Sequence, residues 1–377
     1  MPSIRQATAL LSFAALWCGA HPAAAQFYLQ HNLVSDLPGV ADLQDSSLVN
    51  SWGLTSSSTS PWWVANNATG TSTLYDTSAG GPGVTKRSLT VTIPGGVPTG
   101  TVFNCGTGFK VTDATTGATG SALFIFAGED GSISGWSPAV PPPPTSTKAT
   151  IAIQPSDKVY KGLAIACTTP GGDFLYATDF HNGKVDKYDN SFVLQPNAFV
   201  DPKIPKGYAP FGIQNVGGII YVTYALQDAD AHDDVRGMGH GFVNEFTTDG
   251  MLIRRVASRE TLNSPWGLAM APANFGKFSG DLLIGNFGDG KIHAYDPNAL
   301  LGNGEFKRRG VLHSAGGPPL KIDGLWALQF GNGVAAGPKT TLFFTAGPQD
   351  ESHGLFGSLV ATTPPKDDQD DDQDEDD

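Results

Sequence analysis

The sequence has 377 residues, with 47 glycines, 27 prolines, four methionines and only 16% charged side chains. So many turn-forming residues disfavour a helical protein, and the lack of a basic patch argues against nucleic acid as a partner. The formal net charge of −13 is partly local, because the tail "DDQDDDQDEDD" (Asp367–Asp377) holds nine acidic residues and leaves −4 for the rest.

In chain order, residues 1–25 read as a secretory signal. Arg5 lies in a short basic start, "ATALLSFAALWCGA" is the apolar run, and Ala23–Ala25 supply a small-residue cleavage site. Cys18 follows the bulky Trp17, which disfavours lipid attachment there. No later apolar run reaches the roughly 18 residues of a membrane span. An exported, periplasmic or extracellular protein is expected, with residues 26–363 folded and 364–377 forming an acidic, self-repelling tail.

The folded part is repetitive. Six openings recur: "NSWGLTSS" from Asn50, "VPTGTVFN" from Val97, "VYKGLAIA" from Val159, "YAPFGIQN" from Tyr208, "NSPWGLAM" from Asn263 and "IDGLWALQF" from Ile322. Anchored on Gly53, Gly100, Gly162, Gly212, Gly267 and Ala327, they are separated by 47, 62, 50, 55 and 60 residues. After each opening comes an apolar run such as "PWWVANN" or "DFLYATD", then a turn and a second run such as "TSTLYD" or "GKVDKYD". Outer segments such as "RSLTVTIP", "SFVLQPNAFV" and "MLIRRVAS" follow. Short Val-, Ile-, Phe- and Tyr-rich runs bounded by Gly, Asn, Asp and Pro are strands. The sixth unit stops after its third strand, and Phe27–Val34 is placed to supply the fourth. The expected fold is all-β: a six-bladed β-propeller with four antiparallel strands per blade, closed by the N-terminal strand.

The openings resemble those of NHL-type six-bladed propellers. Over nearly the whole mature chain, "NLVSDLPGVA", "YALQDADAHDDV", "LNSPWGLAMAP", "GDLLIGNFGDGKIHAYDP" and "GPQDESHGLFG" resemble an uncharacterised family of secreted bacterial six-bladed β-propeller proteins with NHL-like repeats. The resemblance implies the fold and export, and it brings no reaction.

Loops joining the second and third strands of every blade are expected on one rim. They are "ANNATG", "AGEDG", "ATDFHNG", the long "YALQDADAHDDVRGMGHGF", "GNFGDG" and "AGPQDESHG". Two readings stay open. Asp-Gly and Asn-Gly serve tight turns, and Asn or Asp side chains cap them. Alternatively, the carboxylates and imidazoles hold a divalent ion such as Ca²⁺ or a transition metal. The metal candidates are Asp228, His232, Asp233 and Asp234, or, at a central site, Asn66, Glu129, Asp179 and Asn286. Gln227, Asp228, His232, Asp233, Asp234, Asp350 and His353 are the ligand-binding candidates. "GxSxG" is absent and no catalytic residue is assigned.

Cys105 and Cys167 each follow an anchor by five residues and are either a disulfide or two buried thiols. Trp52, Trp266 and Trp326 recur at the openings as core residues, and adjacent Trp62 and Trp63 must point to opposite faces of a strand. The functional expectation is a monomeric binding or scaffold propeller recognising a protein or small molecule through one rim. The alternative is a Ca²⁺-type metal-dependent hydrolase, such as a lactonase or esterase.

Overall fold

The computed structural model describes residues 27–78, 83–169, 172–196, 199–315 and 317–362. The expected signal sequence and acidic tail lie outside them. Within the described residues no helix is long and apolar enough to cross a membrane.

The strands form six sheets arranged as propeller blades, plus one small hairpin. Blades 1, 2, 4 and 5 each hold four strands, beginning with inner strands Ser51–Thr55, Pro98–Phe103, Tyr208–Val216 and Pro265–Met270. Blade 6 starts at Leu325–Phe330, and the N-terminal strand closes it. Phe27–Ser35 pairs antiparallel with Leu355–Thr362, from Phe27 opposite Thr362 to Ser35 opposite Leu355.

Blade 3 corrects the four-strand expectation. Its sheet has three strands, Tyr160–Thr169, Gly172–Asp179 and Lys184–Asp189, and "SFVLQPNAFV" contributes only an isolated Tyr188–Leu194 bridge. Phe192 sits at φ 60°, and Pro196 lacks the amide that an outer strand would donate. Blade 2 gains an unexpected hairpin, Lys110–Thr112 with Thr119–Ser121. Near its base a Cys105–Cys167 disulfide joins blades 2 and 3, the two Cα atoms being 6.1 Å apart.

The anchor residues mark where neighbouring inner strands approach most closely. A Cβ on Gly100 would lie 2.3 Å from the Leu163 amide nitrogen, and one on Gly212 would lie 2.2 Å from the Trp266 carbonyl oxygen. Such separations are far inside van der Waals contact, so glycine sets the width of the ring. Hydroxyls add ties between blades: Thr99 Oγ1 donates to the Tyr160 carbonyl and Thr178 Oγ1 to the Phe211 carbonyl, both at 2.7 Å.

Apolar side chains fill the spaces between sheets. Trp62 meets Phe343 and Phe356 of blade 6, while Trp63 meets Phe124 and Trp136 of blade 2. The strand alternation thus divides the pair between two blade interfaces, with both indoles buried.

Candidate functional site at the axial mouth

The residue before each anchor is, in blade order, Trp52, Thr99, Lys161, Phe211, Trp266 and Trp326, all of them buried. Several meet partners from non-adjacent blades, which places them on the propeller axis. Trp52 stacks on Trp326 with centroids 3.5 Å apart, Trp266 meets both edge-on, and Phe211 packs against Trp326. Phe287 of blade 5 extends the stack, 3.9 Å from Trp326. This aromatic plug fills the axis under the rim. Below it, a cavity of about 20 Å³ lined by Gly53, Gly100, Leu163, Trp266 and Leu328 has room for about one water.

Lys161 is the exception in this mainly aromatic set. It is 1% exposed, and its ammonium lies 5.3 Å from the centroid of Trp52. Nζ donates to Glu129 Oε1 at 2.5 Å and to Asp233 Oδ1 at 2.9 Å. Burial alone would depress this ammonium, but the Glu129 and Asp233 carboxylates outweigh it and hold the pKa above the usual lysine range. For Asp233, burial acts upward, yet Lys161 pulls its pKa below the ordinary carboxylate range.

From Lys161 a polar arc crosses the blades. Asn67 Nδ2 donates to Glu129 Oε2 at 2.8 Å, Asn50 Nδ2 reaches Asn67 Oδ1 at 3.4 Å, and the same Asn50 amide donates to Glu351 Oε2 at 2.8 Å. On the other side, the chain from Asp233 leads to Arg236, whose Nη1 donates to Asp350 at 3.2 Å. The arc therefore returns to blade 6, beside Glu351.

Loop geometry explains how these groups arrive. In "DADAHDD" Asp228 caps the turn: its Oδ1 accepts the His232 amide at 2.9 Å, and its own amide donates to the Asp233 carbonyl at 2.8 Å. That turn presents Asp233 towards Lys161. In blade 6, Gln349, Asp350 and Glu351 have φ of 56°, 50° and 65°. Three consecutive non-glycine residues in the left-handed region are costly, roughly 1–3 kcal/mol each, and need a surrounding structure that holds them.

The loops of blades 4 and 6 thus share one rim, and Asp233 and Asp350 belong to the same arc. Other candidates stand elsewhere. The Gln227 amide donates to the Phe180 and His181 carbonyls of blade 3. His353 turns to Asp36, 2.7 Å away, so Glu351 rather than His353 represents blade 6 beside the axis. Asp234 is pushed above the usual carboxylate range by burial beside Ser264, and its Oδ2 has no hydrogen-bond partner.

Each member of the four-residue central set makes contacts of its own. Asn66 Nδ2 bonds the Thr71 and Thr73 hydroxyls. Asp179 accepts from Asn182 and the Val159 amide, and Asn286 Nδ2 donates to the Thr261 carbonyl and Asp289. The Asn66 and Asn286 amide nitrogens and the Asp179 carboxylate are thus tied to local partners, while Asn66 Oδ1 and Asn286 Oδ1 are buried without a hydrogen-bond partner; of this set Glu129 alone joins the arc. The quartet of Asp228, His232, Asp233 and Asp234 also separates, because Asp228 is the turn cap and Asp234 lies against Ser264.

What does gather is Glu129, His232 and Asp233, whose ligand atoms lie within 4.8 Å of one another. Both carboxylates already bind the Lys161 ammonium. A divalent ion about 4 Å from that ammonium would meet repulsion on the order of 8 kcal/mol at an effective dielectric of about 20. Lys161 therefore competes with a divalent ion for the same two carboxylates.

Sequence reasoning placed Glu351 on the rim without making it a site candidate, and passed over Lys161 and Asn50. The available signal was the one charged residue among Trp, Thr, Lys, Phe, Trp and Trp in the position before the anchors.

No known family profile matches the chain. An uncharacterised protein of Acanthamoeba polyphaga mimivirus is 33% identical over 339 residues, covering 87% of this chain and 78% of the relative. Another from the same virus is 32% identical over 346 residues, covering 87% of this chain and 84% of the relative. Among solved structures, an auxiliary nutrient binding protein from Bacteroides ovatus superposes with a TM-score of 0.51 at 11% identity, over 89% of this chain and 77% of that one, a likeness of fold. The sequence resemblance pointed to bacterial proteins, whereas these two relatives are viral. With a third of its residues identical over most of both lengths, this six-bladed β-propeller belongs to the same family as the mimivirus proteins.

Proposed function

We propose that the protein is an exported binding propeller that recognises a ligand or partner through the rim carrying the blade 4 and blade 6 loops. The observation that carries this reading is the Lys161 ammonium between Glu129 and Asp233. At the axis, where a metal-dependent hydrolase would need free carboxylates, the chain supplies its own cation. The Lys161–Glu129 pair is largely buried, while the Asp233 and Asp350 side chains are 66% and 93% exposed and open the site to solvent. An aromatic plug beneath them favours recognition at the surface over passage along the axis. Export is supported by the signal-like residues 1–25 and by the Cys105–Cys167 disulfide, which persists in oxidising compartments.

The Glu129, His232 and Asp233 cluster is what favours the hydrolase alternative. Metal analysis of the purified protein, alongside a lactone and ester panel, separates the two. A stoichiometric ion with turnover that chelator abolishes would establish the alternative. For binding, a peptide and glycan panel read by thermal shift should yield a ligand whose effect is lost in Asp350→Lys and kept in Asp249→Lys, which lies in a turn between the third and fourth strands of blade 4. Loss in Asp249→Lys alone would place recognition on the other face and overturn the rim reading.

A further inference from the structure

The stack Trp52, Trp326, Phe287 does not end at an apolar contact. The Arg236 guanidinium caps it, with Cζ 4.4 Å from the Phe287 centroid. The same guanidinium pairs with Asp350, the side chain held by the left-handed run Gln349–Glu351. An aromatic face flanked by a carboxylate is the arrangement that recognises a planar cation. Here the cation comes from the elaborated blade 4 loop.

Resting on the rim-binding reading, we propose that Arg236 occupies in the free protein a site built for a guanidinium group, and that the rim's ligand is a basic peptide segment whose arginine displaces it. Three observations support displacement. The Arg236 side chain is 39% exposed and its partner Asp350 93% exposed, so the ion pair is a surface one worth roughly 0–1 kcal/mol. The cation–π contact at such a site adds about 0.5–1 kcal/mol. An incoming arginine therefore competes with a weak internal contact and re-forms the same interactions.

Charge also favours a second cation. Glu129, Asp233, Asp234, Asp350 and Glu351 are set against Lys161 and Arg236 alone among permanently charged bases of the arc. Among the buried polar atoms without a hydrogen-bond partner are Asp234 Oδ2, the neighbouring Ser264 Oγ, and Trp52 Nε1, the last on the ring that Lys161 covers. Asp234 lies within electrostatic reach of both Arg236 and Lys161, so its free oxygen belongs to the same charged mouth. The net charge of −4 outside the acidic tail adds a modest long-range attraction for a basic partner. The planar fork of arginine can stack on Phe287 while bonding Asp350, which the compact lysine ammonium cannot reproduce.

The test uses the full chain and an amidated tri-arginine peptide at low salt, followed by tryptophan fluorescence, since Trp326 lies one ring beneath Phe287. Arg236→Ala should bind tri-arginine about tenfold more tightly than the unaltered protein, and more tightly than it binds tri-lysine. Adding Asp350→Asn should remove that gain. This second change is at an exposed side chain, so it stays interpretable if Arg236→Ala lowers stability: alone, Asp350→Asn should weaken tri-arginine binding several-fold. Equal affinity in Arg236→Ala and the unaltered protein, or a gain indifferent to Asp350→Asn, overturns the proposal. If a panel ligand remains sensitive to Asp350→Lys while tri-arginine shows no gain, the guanidinium site falls and the rim reading stands. A ligand indifferent to the rim removes both.

Discussion

Replacing Lys161 with Met tests the axial ion pair directly. Met keeps most of the unbranched stem over Trp52 and removes the ammonium. Cutting one partner from a buried pair costs about 3–5 kcal/mol, mainly through the uncompensated charge left behind. Asp233 sits on an exposed loop and can rotate to water, while Glu129 retains its bond from Asn67 and a side chain only 14% exposed. The expected loss is therefore at the low end, about 3 kcal/mol. With an unfolding entropy of about 2.1 cal/mol/K per residue over the folded chain, that lowers Tm by about 4 °C. Differential scanning calorimetry at pH 7 measures it, and adding Glu129→Gln should recover most of the loss.

Acid titration supplies an independent readout. Asp233 has a pKa held below its ordinary 3.8, so its contribution is present above that value and lost as pH falls through the folded one. In Lys161→Met this part of the acid sensitivity should disappear. Unchanged Tm, or a loss that Glu129→Gln leaves intact, would refute the view that this ion pair organises the mouth.

Three further outcomes follow from the same geometry. Gly212→Ala should destabilise by about 3 kcal/mol or more, because the new methyl meets the Trp266 carbonyl at 2.2 Å; calorimetry and the near-ultraviolet tryptophan signal report it. Opening the Cys105–Cys167 bridge by paired Ser substitutions should cost roughly 4 kcal/mol on a chain-entropy account of its 62-residue loop, and reductant should lower Tm only in the unaltered protein. Glu351→Gln keeps an acceptor for Asn50 and should raise Tm at pH 7. Burial, with Glu129 and Asp233 adding to it, lifts the Glu351 pKa above its ordinary 4.5, so the wild type loses stability as pH rises through the folded value; the difference should vanish in acid, below 4.5.

Much of the fold was legible because a propeller repeats one local problem. Each blade needs short alternating strands and a glycine where inner strands meet, so the anchors from Gly53 to Gly267 recur in the sequence and mark real backbone contacts. Closure was legible too, since a sixth unit lacking a strand implied the pairing of Phe27–Ser35 with Leu355–Thr362. The reduced outer edge of blade 3 was not: an outer strand makes only one set of ladder bonds, so Phe192 and Pro196 suffice to break what its composition suggests.

The candidate site was legible as a rim but not as a set of contacts. "DADAHDD" announced a polar loop, yet whether each carboxylate caps a turn or faces the axis depends on rotation about one residue. Asp228 is spent within the loop while Asp233 crosses to Lys161, 72 residues away in sequence. By itself the sequence determined the six-fold repeat, the ring and the shared rim, because those follow from local periodicity. Only the tertiary structure decided that Lys161 neutralises the axial carboxylates and that Arg236 caps the aromatic stack, because electrostatic pairing depends on distances between blades that no local pattern encodes.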